Sequence, residues 1–251
     1  MKNKSKRKWL LTIFLVVSGY FVSLVQVHAQ DKIQYSFDLG FTISYFDQKN
    51  APYPTPELVD EFDKSSRTSF EIGGNAAYAL SNALSLSSGL RYTERGGAYK
   101  TKNPDFVYVN QITGNQVDDA YNYLRYRLVY LEIPVLVKLD VFDVFNIEAN
   151  DSKLRIFGGV SGMLNIGSKL RYNIFEGSSD ADEKWEADKL DGAESLVLSW
   201  TGGVEWNGGP LIFYARYSKN LGDIYDITEP GFENFDVEMT TISFGMGINL
   251  N

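Results

Sequence analysis

The chain has 251 residues, with 24 lysines and arginines against 32 aspartates and glutamates, no cysteine and a single histidine. A net charge of −8 argues against nucleic acid as a partner, because phosphate binding requires clustered lysine and arginine. The hydrophobic share of 44% with only 7 prolines argues against disorder.

The N-terminal segment is typical of a secretory signal peptide. Five basic residues within 2–8 precede the apolar run 9–24, and residues 27–29 supply the small or medium side chains that a signal peptidase reads. A retained membrane anchor is the alternative, but glycine and polar residues interrupt the run before about 20 apolar residues accumulate. We therefore expect a signal peptide at 1–29 and an exported barrel domain at 30–251.

Removal of the signal peptide changes the charge and the available chemistry. The net charge becomes −13, and His28 is lost with the signal. Without histidine or cysteine, the mature chain cannot form a Ser-His-Asp or Cys-His site, a thiolate centre or a histidine-bound zinc site. We therefore expect no enzyme activity, with no catalytic residue, cofactor site or metal site, in a single domain.

Eight segments of the mature chain alternate apolar and polar side chains. In the first, 35–45, every odd position is large and apolar and nearly every even position is small or polar. Successive side chains of a strand point to opposite faces, so each segment predicts a strand with one apolar and one polar face. The other seven segments are 69–80, 84–93, 130–139, 155–165, 196–206, 211–218 and 242–250. In the fourth, Pro134 lacks a ladder donor, which predicts a bulge or a weakly paired position.

The connections between these strands alternate long and short. Bacterial outer-membrane barrels have an even number of strands, short periplasmic turns and longer outer loops. The segments are also long enough for tilted membrane crossings of about 9 to 11 residues. The sequence therefore predicts an all-β fold, an eight-stranded antiparallel up-and-down transmembrane β-barrel in the outer membrane. The long connections are 47–67, 96–125, 167–194 and 220–238; the shorter ones are 81–83, 140–152 and 207–209.

The positions of the charges decide which face of the barrel meets lipid. All the charged residues within the strands lie on the polar face, where exposure to hydrocarbon would cost about 2–4 kcal/mol for each midplane arginine or lysine. The apolar face must then meet lipid. The interior of an eight-stranded barrel is only wide enough for side chains, so we expect charges to pair across it and plug it. The structural ion-pair candidates are Glu71, Arg91, Glu132, Lys138, Arg155, Glu205 and Arg216, with Glu132 and Glu205 meeting arginines such as Arg91, Arg155 or Arg216.

Aromatic residues cluster near the predicted strand ends, as in the interfacial girdles of membrane proteins. The alternative is that aromatic side chains simply favour strands. The girdle candidates are Tyr35, Tyr45, Tyr78, Tyr92, Tyr126, Trp206 and Tyr217.

Four short motifs resemble those of a known family. They are Tyr130-Leu131-Glu132-Ile133-Pro134, Gly202-Gly203-Val204-Glu205, Ala215-Arg216-Tyr217-Ser218 with Leu221, and Gly245-Met246-Gly247-Ile248. In these motifs the chain resembles the PorT-like outer-membrane β-barrel proteins of Bacteroidota, over essentially the whole mature chain. The resemblance implies an outer-membrane location and an eight-stranded barrel. The family's namesake is associated with the type IX secretion machinery, which makes envelope or secretion proteins candidate partners.

Three functional classes remain open from the sequence. The first is a structural or interaction scaffold that sits in outer-membrane lipid and displays its outer loops to a partner, since recognition concentrates in loops on rigid scaffolds. The second is a small channel or transport element with a continuous lumen. The third, a soluble lipocalin-like carrier, would invert the faces. The acidic segment 179–183 carries carboxylates of the kind that bind calcium but lacks the spacing of an EF-hand loop. The alternative is a solvated surface loop.

Overall fold

The computed structural model describes residues 32–47, 63–102, 108–109, 116–117, 121–149, 152–173, 186–189, 192–225 and 237–250. The predicted signal peptide and the acidic segment 179–183 lie outside the described residues. The strands are β1 Ile33–Phe46, β2 Asp63–Ser65, β3 Arg67–Ala79, β4 Leu84–Arg95, β5 Ala98–Lys102, β6 Tyr108–Val109, β7 Gln116–Val117, β8 Tyr121–Asp140, β9 Ser152–Asn173, β10 Glu186–Lys189, β11 Leu196–Gly208, β12 Leu211–Asn220 and β13 Met239–Asn249, with one helical turn, α1 Val141–Val144.

Eight of these strands close into a barrel: β1, β3, β4, β8, β9, β11, β12 and β13. Each pairs antiparallel with the long strands that precede and follow it. The cylinder is completed by the pairing of β1 with β13, which runs from Ser36↔Asn249 to Phe46↔Met239. The predicted eight-stranded up-and-down barrel is therefore confirmed, with every long strand paired on both sides.

The two ends of the barrel differ. One, the turn end, holds the short connections β3–β4, β8–β9 and β11–β12 together with the start of β1 and the end of β13. There, the side chain of Asp140 caps α1 by accepting a hydrogen bond from the Phe142 N–H at 3.1 Å. Gly209 turns the chain into β12 with a φ of 63°, in the left-handed region that favours glycine. The other, the loop end, receives the four long connections.

The orientation predicted from the charges is correct. Phe41 and Phe244 are 66% and 51% exposed on the outer surface, whereas Arg91 and Arg216 are 4% and 3% exposed in the interior. Ile133 also lies on the outward face, half-exposed. This arrangement excludes the inverted faces of a soluble carrier. No helix in the described ranges is long and apolar enough to span a membrane.

Strands β8 and β9 are much longer than the sequence predicts. They extend beyond the predicted 130–139 and 155–165 toward the loop end, where β5 and β10 pair with them. Along residues 123–129 the alternation is inverted, since Leu124, Tyr126 and Leu128 are buried while Arg125 faces outward. The part of the barrel that extends beyond the membrane meets water on its outer face, so its apolar side chains face the interior. The predicted connections 96–125 and 167–194 are therefore too long, since residues 121–125 and 167–173 lie in strands.

Two irregularities shape these long strands. The β4–β8 ladder has no pairs between Ser88↔Val135 and Arg91↔Glu132, which is the weak pairing expected at Pro134. On its other edge, β8 meets a bulge in β9: Tyr130 pairs with Asn165 and Val129 with Gly167, so Ile166 is an extra residue. A bulge of one residue reverses which side chains face outward beyond it.

Candidate functional site in the barrel interior

The middle of the barrel interior holds a cluster of three acidic and three basic side chains. Arg95 Nη2 lies 2.6 Å from Glu132 Oε2, and Arg216 forms an ion pair with Glu71. Arg91 Nη2 lies 3.4 Å from an oxygen of Asp38. All six residues are at most 5% exposed, so each charge is removed from solvent and faces an opposite charge.

Glycines in the walls let distant strands share these contacts. Across the register, Tyr214 stands opposite Gly245, Gly245 opposite Gly40, and Gly40 opposite Glu71. The Tyr214 ring lies over both glycines, where a Cβ atom would collide with its hydroxyl, and donates to Glu71 Oε1 at 2.8 Å. Ser243 donates to the other Glu71 oxygen at 3.3 Å. The carboxylate of Glu71, on β3, is thus held by donors from two other strands, β12 and β13.

A second glycine has the same effect on Arg91. Gly73 stands between Asp38 and Arg91 in the register of β1, β3 and β4. A Cβ atom on Gly73 would lie 3.1 Å from the Arg91 Cβ, so the missing side chain leaves room for the arginine to reach Asp38. Asn75 also donates a hydrogen bond to the Asp38 carboxylate. Sequence reasoning missed Asp38, although its even position in the first strand places it on the polar face.

A separate ion-pair group lies nearer the turn end. Lys138 Nζ is 2.5 Å from Glu205 Oε2, and Arg155 Nη1 is 3.1 Å from Glu205 Oε1. Arg155 also donates to the side chain of Gln34 at 3.1 Å. Glu205 is 6% exposed and its two carboxylate oxygens each accept from a different cation. This group connects β1, β8, β9 and β11 across the interior.

The seven charged residues singled out from the sequence all lie on the inward face, each at most 9% exposed. Glu205 meets Arg155, one of the arginines expected for it, whereas Glu132 meets Arg95 rather than Arg91 or Arg216. In the part of the chain that the structure describes, no group of acidic or histidine side chains could hold a metal ion.

The loop end of the interior is apolar. Tyr126, Tyr130 and Leu128 of β8 are fully buried there, with Phe46 and Tyr99 packed beside them. Phe46 and Tyr126 meet edge to face, with ring centroids 5.4 Å apart. The remaining members of the cluster are Leu124, Met163, Leu170, Val197, Ile224, Tyr225, Val237 and Met239. Desolvation raises the pKa of the Tyr99 hydroxyl, which keeps it neutral.

This cluster corrects one of the girdle assignments. Tyr126 is 0% exposed inside the barrel, so it does not belong to an interfacial girdle. The outward aromatics Tyr35, Trp206 and Tyr217 are 51%, 43% and 37% exposed. The inverted alternation of residues 123–129 is the signal that would have placed Tyr126 inside.

Comparisons with known proteins agree with a membrane barrel. The model of a family described as "Outer membrane protein beta-barrel domain" matches residues 28–226. No curated protein matches the chain. Among solved structures, Ail, the attachment invasion locus protein of Yersinia pestis, is 12% identical, with 87% of this chain and 99% of that chain covered and a TM-score of 0.39.

Two further solved structures show similar values. Neisserial surface protein A is 13% identical, covers 85% of this chain and 96% of its own, and has a TM-score of 0.37. The outer membrane protease OmpT from Escherichia coli is 9% identical, covers 87% and 95%, and has a TM-score of 0.36. At these scores the similarities add nothing to the strand pairing, which by itself establishes the closed barrel.

Proposed function

Because the chain belongs to the outer membrane protein β-barrel family, we propose that this integral outer-membrane protein is a sealed scaffold that presents its long connections to a partner. The observation that carries the proposal is the filling of the interior. Ion-paired charges occupy its middle, and the apolar cluster that includes Tyr126 occupies its loop end. An eight-stranded barrel has little interior space beyond that taken by side chains.

The two layers seal the barrel by different means. An ion that enters from the turn end meets fixed charges already neutralised at short range, such as Glu205 between Lys138 and Arg155. An ion that reaches the loop end must cross a layer of buried aromatic and aliphatic side chains, which offers it no replacement for its hydration. Both layers oppose conduction, and they favour the scaffold over the channel.

The partner should bind at the loop end. Short turns face the periplasm in bacterial outer-membrane barrels, so the long connections face the outside of the cell. The finer resemblance to PorT-like proteins makes envelope or secretion proteins the partners that we propose for these connections. The segments concerned include 48–62 and 226–236, which lie outside the described residues.

Planar-bilayer recording tests the seal. We expect the folded protein to insert without steady conductance, whereas reproducible single-channel openings would refute the sealed scaffold and support the transport alternative.

Affinity capture from detergent-solubilised outer membranes tests whether a partner binds the long connections. Replacement of 226–236 by a glycine-serine linker should abolish capture of a specific partner, while changes in the short turn 207–209 should leave capture intact. Equal capture by both variants would contradict recognition through the long connections.

A further inference from the structure

A row of basic side chains faces outward just beyond the lipid-facing belt. On β8, the outward positions Leu131 and Val129 are followed toward the loop end by Arg127 and Arg125. The bulge at Ile166 gives β9 a matching row. Leu164 and Ile166 face outward up to the bulge, and Lys169 and Arg171 face outward beyond it. Leu170, between them, packs in the interior cluster. Without the extra residue, Lys169 and Arg171 would point into the apolar interior.

The two rows place like charges opposite one another. Arg125 pairs in register with Arg171, and Arg127 pairs with Lys169. Directly opposed residues of an antiparallel pair have Cβ atoms about 4.5–5.5 Å apart, and like charges at that spacing are destabilising. In a chain with a net charge of −8, such a concentration of cations is a local feature and not a consequence of composition. An anion bound between the two strands would be attracted by both rows.

The basic residues border a cleft large enough for such an anion. The cleft has a volume of about 440 Å³ and four of its seven lining residues are arginines. It is lined by Ser66, Arg67, Thr68, Ala98, Arg125, Arg127 and Arg171.

Glu94 holds two of the four guanidinium groups in place. Its carboxylate accepts from Arg127 Nε at 3.0 Å and from Arg67 Nη2 at 3.2 Å, and its other oxygen accepts from the Tyr92 hydroxyl at 3.0 Å. Arg67 also donates from Nη1 to the Arg95 carbonyl at 2.9 Å, beyond the last β3–β4 pair. These contacts orient Arg67 and Arg127, whereas Arg125 and Arg171 extend along the exposed outer wall.

The cleft also adjoins the lipid-facing surface. Phe70, 48% exposed, stacks on Tyr92 with ring centroids 5.6 Å apart, and Tyr92 reaches Glu94 at the border of the cleft. A ligand in this position would have its apolar part against aromatic and aliphatic side chains and its anionic part among the arginines. Guanidinium groups bind phosphate oxygens in paired, charge-assisted hydrogen bonds. Basic residues beside a membrane surface attract anionic headgroups in the same way.

We propose that this arginine cleft binds the phosphorylated headgroup of a lipid in the outer leaflet. The site is independent of the interior, so it does not depend on whether the barrel conducts. Arg67 and Arg127 form its fixed side, and Arg125 and Arg171 close on the phosphate from the outer wall. The bound phosphate contacts the paired arginines of both β8 and β9.

Nanodiscs of defined composition test this proposal. The full-length protein is folded in phosphatidylcholine nanodiscs with or without a minor fraction of diphosphoryl lipid A, and lipid retention is measured by native mass spectrometry. We expect the wild type to retain lipid A and Arg125→Gln/Arg171→Gln to retain it about tenfold less, as for loss of a charge-assisted contact. The control Lys32→Gln/Lys153→Gln removes the same charge at the turn end and should retain lipid A like the wild type. Equal retention by all three proteins, or equal loss in both variants, would overturn the proposal.

Two further measurements test the role of the paired arginines and the source of the bound anion. Urea unfolding is the first: lipid A should raise the urea midpoint of the wild type more than that of Arg125→Gln/Arg171→Gln, because the variant has lost two phosphate contacts. An equal rise in both proteins would contradict the role of the paired arginines. Inorganic phosphate added to the phosphatidylcholine sample distinguishes the source of the anion. If phosphate alone stabilises the wild type as much as lipid A does, the ligand is a soluble anion and the lipid assignment is wrong.

Discussion

Glu132→Gln should destabilise the barrel strongly, because it leaves the Arg95 guanidinium buried without its carboxylate. The two side chains are 0% and 2% exposed and their charged atoms are 2.6 Å apart. Loss of one partner of a buried ion pair costs about 3–5 kcal/mol. The change also reduces the central cluster from three acidic groups to two while three arginines remain. The unfolding equilibrium constant should therefore rise by a factor of about a hundred to a few thousand.

Urea unfolding from phospholipid vesicles measures this effect through tryptophan fluorescence. Trp200 and Trp206 face outward, 40% and 43% exposed on the apolar surface. Both leave lipid for water on unfolding, so their emission shifts to longer wavelength and reports the global transition. The free energy of unfolding then follows from the urea midpoint and slope.

An exposed pair in the same molecule supplies the control. Asp143→Asn makes the same carboxylate-to-amide change where the partner is Lys153, at 3.5 Å with both side chains 39% exposed, and should cost no more than about 1 kcal/mol. The double variant Arg95→Met/Glu132→Gln removes both buried charges and should recover much of the lost stability. A cost for Glu132→Gln equal to that of Asp143→Asn would refute the argument that the interior pairs are desolvated.

Three other substitutions test separate parts of the structure. Phe41→Arg puts a charge on the lipid-facing surface and should lower the free energy of unfolding in vesicles by about 2–4 kcal/mol; an unchanged urea midpoint would contradict the assigned orientation. Gly245→Ala drives a Cβ atom into the Tyr214 ring and should lower the free energy of unfolding by about 1–3 kcal/mol. The control Gly158→Ala, whose new Cβ atom has its nearest contact at 3.8 Å, should be tolerated, and equal losses of stability would show that the ring does not lie on Gly245. Tyr126→Ala removes a fully buried ring and should lower the free energy of unfolding by about 3–5 kcal/mol. The control is Tyr45→Ala, at a half-exposed position, and an equal loss of stability in both variants would show that Tyr126 belongs to the girdle.

The number of strands, their order and their lipid-facing sides could be predicted from the sequence because each depends on local alternation. Phe41 and its neighbours repeat with a period of two, and hydrocarbon excludes charge so strongly that the polar face must turn inward. That reasoning holds only at membrane depth. Around Tyr126 and Arg125 the outer face of the barrel meets water instead of lipid. There the polar side chains face outward and the apolar side chains face the interior.

The choice of partner for each interior charge could not be predicted. Glu132 stands on the same face as Arg91, Arg95 and Arg216, and the alternation does not distinguish among them. The distinction comes from the register of strands far apart in sequence and from glycines, such as Gly73, that open a path between particular side chains. These are tertiary properties of the closed cylinder.

The ladder between the first and last strands makes assembly an all-or-nothing event. The edge of β1 exposed at Phe41 has its complement at Phe244, in the barrel strand that is synthesised and exported after the other seven. Until that segment arrives, two rows of peptide groups have no hydrogen-bonding neighbour, a condition that hydrocarbon does not tolerate. An intermediate with seven strands therefore needs a chaperone or an insertion machine to shield its open seam. A premature stop before β13 should yield no inserted product rather than a smaller barrel.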